Sequence, residues 1–209
     1  MKKASFLFFI AIFLCSSLLV GKQEIQLSFS GGVNYVFDYG SLDDYAPGEN
    51  DFPVTPAHAS PCFGLGFSYF FTGSLGIEVD GCYYLSSKVT LTDPSDDDTV
   101  DYTTGKHLSM TLNFVYRYAV GNFRPFLVIG GGMDKLFTKD KTYTSAYGYE
   151  IEFTAPDKSL DPMVNIGGGI QYLFRPNVGA RVDVRYMIIF AKPDNVSSLN
   201  LMVGVFTRF

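Results

Sequence analysis

The sequence predicts an all-β chain, an eight-stranded antiparallel up-and-down transmembrane β-barrel. Three observations predict it. Apolar and polar residues alternate with period two in segment after segment from Ile25 to Phe209. The segments are joined by connections that are short, then long, in turn. Beyond residue 21 no apolar run approaches the ~20 residues of a membrane helix. A membrane crossing by this chain must then use a closed barrel, the other structure that satisfies its own backbone in lipid.

The first 21 residues read as an export signal. Lys2 and Lys3 form a positive start, Ala4 to Leu14 is apolar, and small residues follow at Ser16, Ser17 and Gly21. Cleavage is expected after Gly21, leaving residues 22–209 as one barrel domain. Leu14 before Cys15 is too bulky for a lipoprotein processing site. Losing Lys2 and Lys3 takes the formal charge from −5 to −7. No basic patch is visible, which argues against a nucleic-acid partner.

The first strand starts at Ile25, with Leu27, Phe29, Val33, Tyr35 and Phe37 alternating with Gln26, Ser28, Ser30, Asn34 and Asp38. Six further segments alternate as clearly: 62–71, 75–86, 107–118, 164–174, 178–188 and 199–209. Residues 123–133 form another strand whose facing stays open, since both registers are apolar and glycine-rich. Tight turns are expected at Thr72-Gly73-Ser74, Gly121-Asn122 and Arg175-Pro176-Asn177. Long polar connections are expected near 40–60, 92–105, 134–160 and 190–197. Tyr147, Tyr149, Ile151 and Phe153 still alternate, so the third should extend its hairpin.

Alternation does not say which face points inward. A soluble ligand-binding barrel has the same period with the faces exchanged. Here the polar face carries charges and many glycines at mid-strand, which suits a narrow lumen. Aromatics gather at both ends of the apolar face: Tyr69, Phe71, Tyr116, Tyr118, Tyr172 and Phe174 near the tight turns, and Tyr35, Phe37, Tyr39, Tyr83 and Tyr186 near the loops. Two aromatic girdles around an apolar band mark a membrane barrel.

With its export signal, eight strands and a final strand Leu199-Asn-Leu-Met-Val-Gly-Val-Phe-Thr-Arg-Phe209, the chain resembles the OmpA/OmpX-type small outer-membrane barrels. The resemblance implies an outer-membrane location, contact with membrane lipid and lipopolysaccharide, and a monomer. It also implies that Phe209 is read by the barrel-insertion machinery.

The inward charges are Glu78, Asp80, Arg117, Arg181, Asp183 and Arg185. They are expected to form one salt-bridge network, because an eight-stranded interior has room only for side chains and enclosed charges must pair. A narrow ion path lined by the same groups is the rival reading. Cys62 and Cys82 share the inward face of neighbouring strands. A five-residue hairpin loop sets them opposite, in reach of a disulfide, whereas a three-residue loop offsets them by two.

His107 and Ser109 resemble the His–Ser pair of outer-membrane lipid A deacylases. Both fall on the lumen face, however, and no acid to orient the His is apparent. The acidic run from Asp93 through Asp98 to Asp101 lacks the glycine and terminal Glu of a calcium loop, and reads as a solvated loop. The glycine triplets 130–132 and 167–169 lie inside strands, not before helices, so they are not phosphate loops. No cofactor, metal or catalytic set is expected. The functional reading is a surface barrel that meets host or other ligands through its loops, with a small channel and a lipid-modifying enzyme as alternatives.

Overall fold

The computed structural model describes residues 23–38, 58–92, 99–137, 141–144, 150–153, 160–191 and 195–209. The signal segment, Tyr39, Tyr147, Tyr149 and the run Asp93–Asp98 lie outside the described residues.

Eight strands close into a barrel: β1 (Glu24–Asp38), β2 (His58–Phe70), β3 (Leu75–Tyr84), β6 (Lys106–Arg117), β7 (Phe123–Phe137), β10 (Leu160–Arg175), β11 (Val178–Ile189) and β12 (Val196–Arg208). Each pairs antiparallel with its sequence neighbours in the wall, and β1 pairs with β12 to close it. Phe209 completes the seam. Its N–H donates to the Ile25 carbonyl at 2.9 Å, and its carbonyl accepts from Ile25 N–H at 3.2 Å.

The long connections contain short hairpins of their own. β4 (Lys88–Thr92) pairs with β5 (Thr99–Thr103), and β8 (Lys141–Thr144) with β9 (Glu150–Phe153). Strands reach further into these connections than hydropathy suggests. β2 begins at His58, and Asp134 to Phe137 belong to β7. Ladder pairing continues there with polar residues facing inward, where an apolar–polar contrast no longer marks the strand.

Period two sorts the side chains as expected. Leu27, Phe29, Leu65, Leu112, Ile166 and Val203 face outward and are exposed, while Gln26, Ser68, Asn113, Gln171 and Asn200 face inward and are buried. The polar residues are inside and the apolar ones outside, the reverse of a water-soluble barrel. The open facing of 123–133 resolves here. Leu127, Ile129 and Met133 point out, and Phe126, Val128 and Asp134 point in. Phe71 departs from the expected girdle. It lies past the end of β2 in the turn, is 8% exposed, and packs near Phe114.

The tight turns are built by identifiable devices. At residues 71–74 the Thr72 Oγ1 accepts from the N–H groups of Ser74 (3.1 Å) and Leu75 (2.8 Å). Between β6 and β7, Gly121 takes φ +60°. A Cβ added there would meet nothing within 4 Å, so a substitution is penalised by backbone conformation alone. Gly121→Ala is expected to cost about 1–2 kcal/mol in urea unfolding, and Gly121→Asn less, because Asn tolerates the left-handed region.

Candidate functional site

The lumen is filled in layers, stacked from the tight-turn end to the long-loop end. At the tight-turn end the Glu24 carboxylate gathers three guanidinium groups: Arg117 Nη1 at 2.8 Å, Arg208 Nη1 at 2.8 Å and Arg124 Nη1 at 3.2 Å. Gln26 Nε2 donates to the same carboxylate at 2.6 Å and is held by Gln171 Nε2 at 3.0 Å. Arg117 also donates through Nε to the Gly73 carbonyl at 3.0 Å, and its guanidinium lies 3.6 Å over the Phe70 ring.

An apolar collar of Phe70, Val115, Phe126 and Val128 follows, each at most 4% exposed. Beyond it lies a second ionic layer. Arg181 donates to both oxygens of Glu78, at 3.0 Å for Nη2–Oε1 with Nη1–Oε2 the closer pair, and to Asp183 at 2.6 Å. Arg185 reaches Glu78 at 2.8 Å, Asp183 at 2.7 Å and Asp80 at 2.7 Å. Ser68 donates to Glu78 at 2.8 Å and Asn113 to Asp80 at 3.0 Å. Arg181 also stacks 4.5 Å over Phe126, tying this layer to the collar. Glu78 is 1% exposed, so these charges survive only through their mutual pairing.

The six expected lumen charges therefore fall in two places. Glu78, Asp80, Arg181, Asp183 and Arg185 meet; Arg117 does not join them. Counting residues from the nearest turn gives Arg117 and Glu78 similar heights, but strand tilt staggers the wall. Glu78 lies across from Asn113, four residues before Arg117. At ~3.4 Å per residue, that puts Arg117 about 14 Å nearer the turns. Its partner Glu24 stands at the start of the first strand, where it reads as a polar residue following the signal. Arg124 belonged to the strand of open facing.

The glycines of the wall make room for these ions. A Cβ on Gly167 would meet the Arg185 side chain at 2.9 Å, and one on Gly169 the Phe126 ring at 2.8 Å.

The third layer is rich in sulfur. Cys62, Cys82, Tyr84, Met163, Met187 and Met202 form one buried cluster. Cys62 and Cys82 are free thiols, so of the two arrangements the sequence leaves open it is the one without a disulfide that is found. The reason is register. Phe71 N–H donates to the Leu75 carbonyl at 3.1 Å, so the register is that of the three-residue loop 72–74: Tyr69 pairs with Ile77, Cys62 with Tyr84, and Cys82 with Gly64. Diagonal neighbours have Cα atoms about 7–8 Å apart, beyond the ~4.4–6.8 Å of a disulfide. Asn200 stands at their centre: Cys62 Sγ donates to its Oδ1 at 3.3 Å, and its Nδ2 lies 3.4 Å from Met202 Sδ and 3.2 Å from Tyr84 Oη.

At the long-loop end, Tyr84 stacks on His107 with ring centroids 4.0 Å apart. His107 does have an acidic partner. Asp134 Oδ1 lies 2.9 Å from its Nδ1, although residue 134 reads as loop in the sequence. Ser109 Oγ donates to Tyr84 Oη at 3.4 Å. The group opens into a cavity of ≈ 60 Å³ lined by Asn34, His58, Thr104, Asp161 and Ser198 among others, inside the barrel and away from the lipid face.

The sequence profile of the outer membrane protein β-barrel domain matches residues 8–209. The chain belongs to this outer membrane β-barrel family. Among solved structures it is similar to the outer membrane protein OprG of Pseudomonas aeruginosa, at 17% identity and TM-score 0.58 over 90% of this chain and 98% of that one. It is also similar to Neisserial surface protein A, at 16% identity and TM-score 0.56 over 90% and 99%. The N-terminal barrel domain of P. aeruginosa OprF gives 14% and 0.52 over 91% and 100%. At these identities the outer membrane β-barrel likeness is one of fold. No curated protein matches the sequence.

Proposed function

We propose that this outer membrane β-barrel is a non-conducting, non-enzymatic surface protein that acts through its long connections, in adhesion or in structural support of the envelope. The observation that carries this reading is the filled lumen. Two ion-pair layers enclose the collar of Phe70, Val115, Phe126 and Val128. A small solute would have to break buried charge pairs to pass. The reading places the tight turns and Phe209 on the periplasmic side, with Phe209 serving the barrel-insertion machinery, and the long connections outside. Residues 1–21 are the cleaved signal in this scheme. Membrane lipid and lipopolysaccharide surround the apolar face, and the connections carry any host or surface ligand. A monomer is supported by closure of the sheet, since β1 and β12 leave no edge for a second chain.

Proteoliposome swelling tests the reading. Vesicles carrying the barrel are expected to shrink in hyperosmotic arabinose or glycine and stay shrunken. Re-swelling at the rate of vesicles containing a general porin contradicts the proposal and favours the small channel.

A further inference from the structure

The sulfur layer has no part in closing the lumen by charge, yet it concentrates a particular chemistry. Two free thiols and three thioethers share one buried cluster. Three of these sulfurs converge on one amide. Cys62 Sγ lies 3.3 Å from Asn200 Oδ1, while Met202 Sδ at 3.4 Å and Cys82 Sγ at 3.9 Å flank Asn200 Nδ2. The Met202 methyl also fills the space over Gly64, the residue directly opposite Cys82 and two along from Cys62.

We propose that Cys62, Cys82 and Met202 bind one soft monovalent cation of the Cu(I) or Ag(I) class. Thiolate and thioether ligands select such ions over hard ones. The spacing that prevents a disulfide suits a bridge. An ion with metal–sulfur bonds of about 2.3 Å holds its sulfurs roughly 4 Å apart, a span that diagonal side chains can close without moving the backbone. Binding releases two protons and changes no oxidation state: M⁺ and two thiols give a bis-thiolate complex, which Met202 completes through neutral sulfur. Cys82 and Met202 line a ≈ 40 Å³ cavity together with Arg181, Arg185, Asp80 and Asp183, so the ion would sit next to the paired charges of the second ionic layer. On binding, Asn200 gives up the thiols and keeps its bond to Tyr84 Oη.

The test uses the full mature barrel, refolded in detergent, reduced, desalted and titrated with Ag(I) in chloride-free buffer. One ion per chain is expected to stay bound through gel filtration. Met202→Leu should weaken retention at least tenfold, and Cys62→Ser with Cys82→Ser should abolish it, with heat-modifiable gel migration showing that each variant is folded. If the double variant does not fold, thiol counting on the wild type decides instead: bound Ag(I) should protect both thiols from a maleimide. Four outcomes overturn the proposal. They are no ion retained on the reduced barrel, retention unchanged in the variants, Zn(II) held as tightly as Ag(I), or Cys62 and Cys82 joined to each other in the chain isolated from envelopes.

Discussion

Arg181→Met is expected to destabilise the barrel by about 3–5 kcal/mol, measured as urea unfolding in detergent or thin bilayers. Arg181 and Arg185 are shared among three carboxylates, Glu78, Asp80 and Asp183, in a layer where Glu78 is 1% exposed. Removing one guanidinium leaves three buried acids facing a single cation. It also strips Glu78 and Asp183 of charge-assisted hydrogen bonds, and methionine can replace only the packing on Phe126. Glu78→Gln removes a charge of the opposite sign. It brings the acids and bases to equality and keeps a hydrogen-bonding oxygen toward Arg181. Its cost should therefore be smaller, about 1–2 kcal/mol. Equal losses in the two variants would mean that shape, not charge balance, governs the layer.

Glu24→Ala is expected to cost about 3 kcal/mol through the opposite imbalance. Glu24 is the shared partner of Arg117, Arg124 and Arg208, and Arg117 is 2% exposed. Without the carboxylate, three guanidinium groups crowd the tight-turn mouth. Arg208 is the most open of them and still reaches the Pro176 carbonyl. Because the mouth meets water, salt should screen part of this repulsion. The urea midpoint of the variant should rise with ionic strength more steeply than that of wild type. A variant as stable as wild type in low salt would show that this cluster contributes nothing to the fold.

The barrel itself was legible because its signal is repetitive. Alternation in residues 178–188 assigns Arg181, Asp183 and Arg185 inside without ambiguity, and the same holds for Glu78 and Asp80. What alternation lacks is height. The β3–β6 register, across a long connection, separates Arg117 from Glu78, and the β2–β3 register, set by the tight turn, puts Cys62 diagonal to Cys82. Asp134 escaped notice because β7 continues past its apolar part into what reads as loop. Tyr84 was missed for a related reason: its apolar ring faces a lumen identified by polarity, so hydropathy does not assign it there. The three methionines of the sulfur layer come from β10, β11 and β12, and nothing local in the sequence draws them toward the cysteines.

The occluded lumen is tested most directly by single-channel recording of the purified barrel in a planar bilayer. The layered filling predicts no stable conductance steps at ordinary voltages in wild type. Large, long-lived steps from the wild-type protein would contradict it, because ions could then cross a layer in which every described charge is paired.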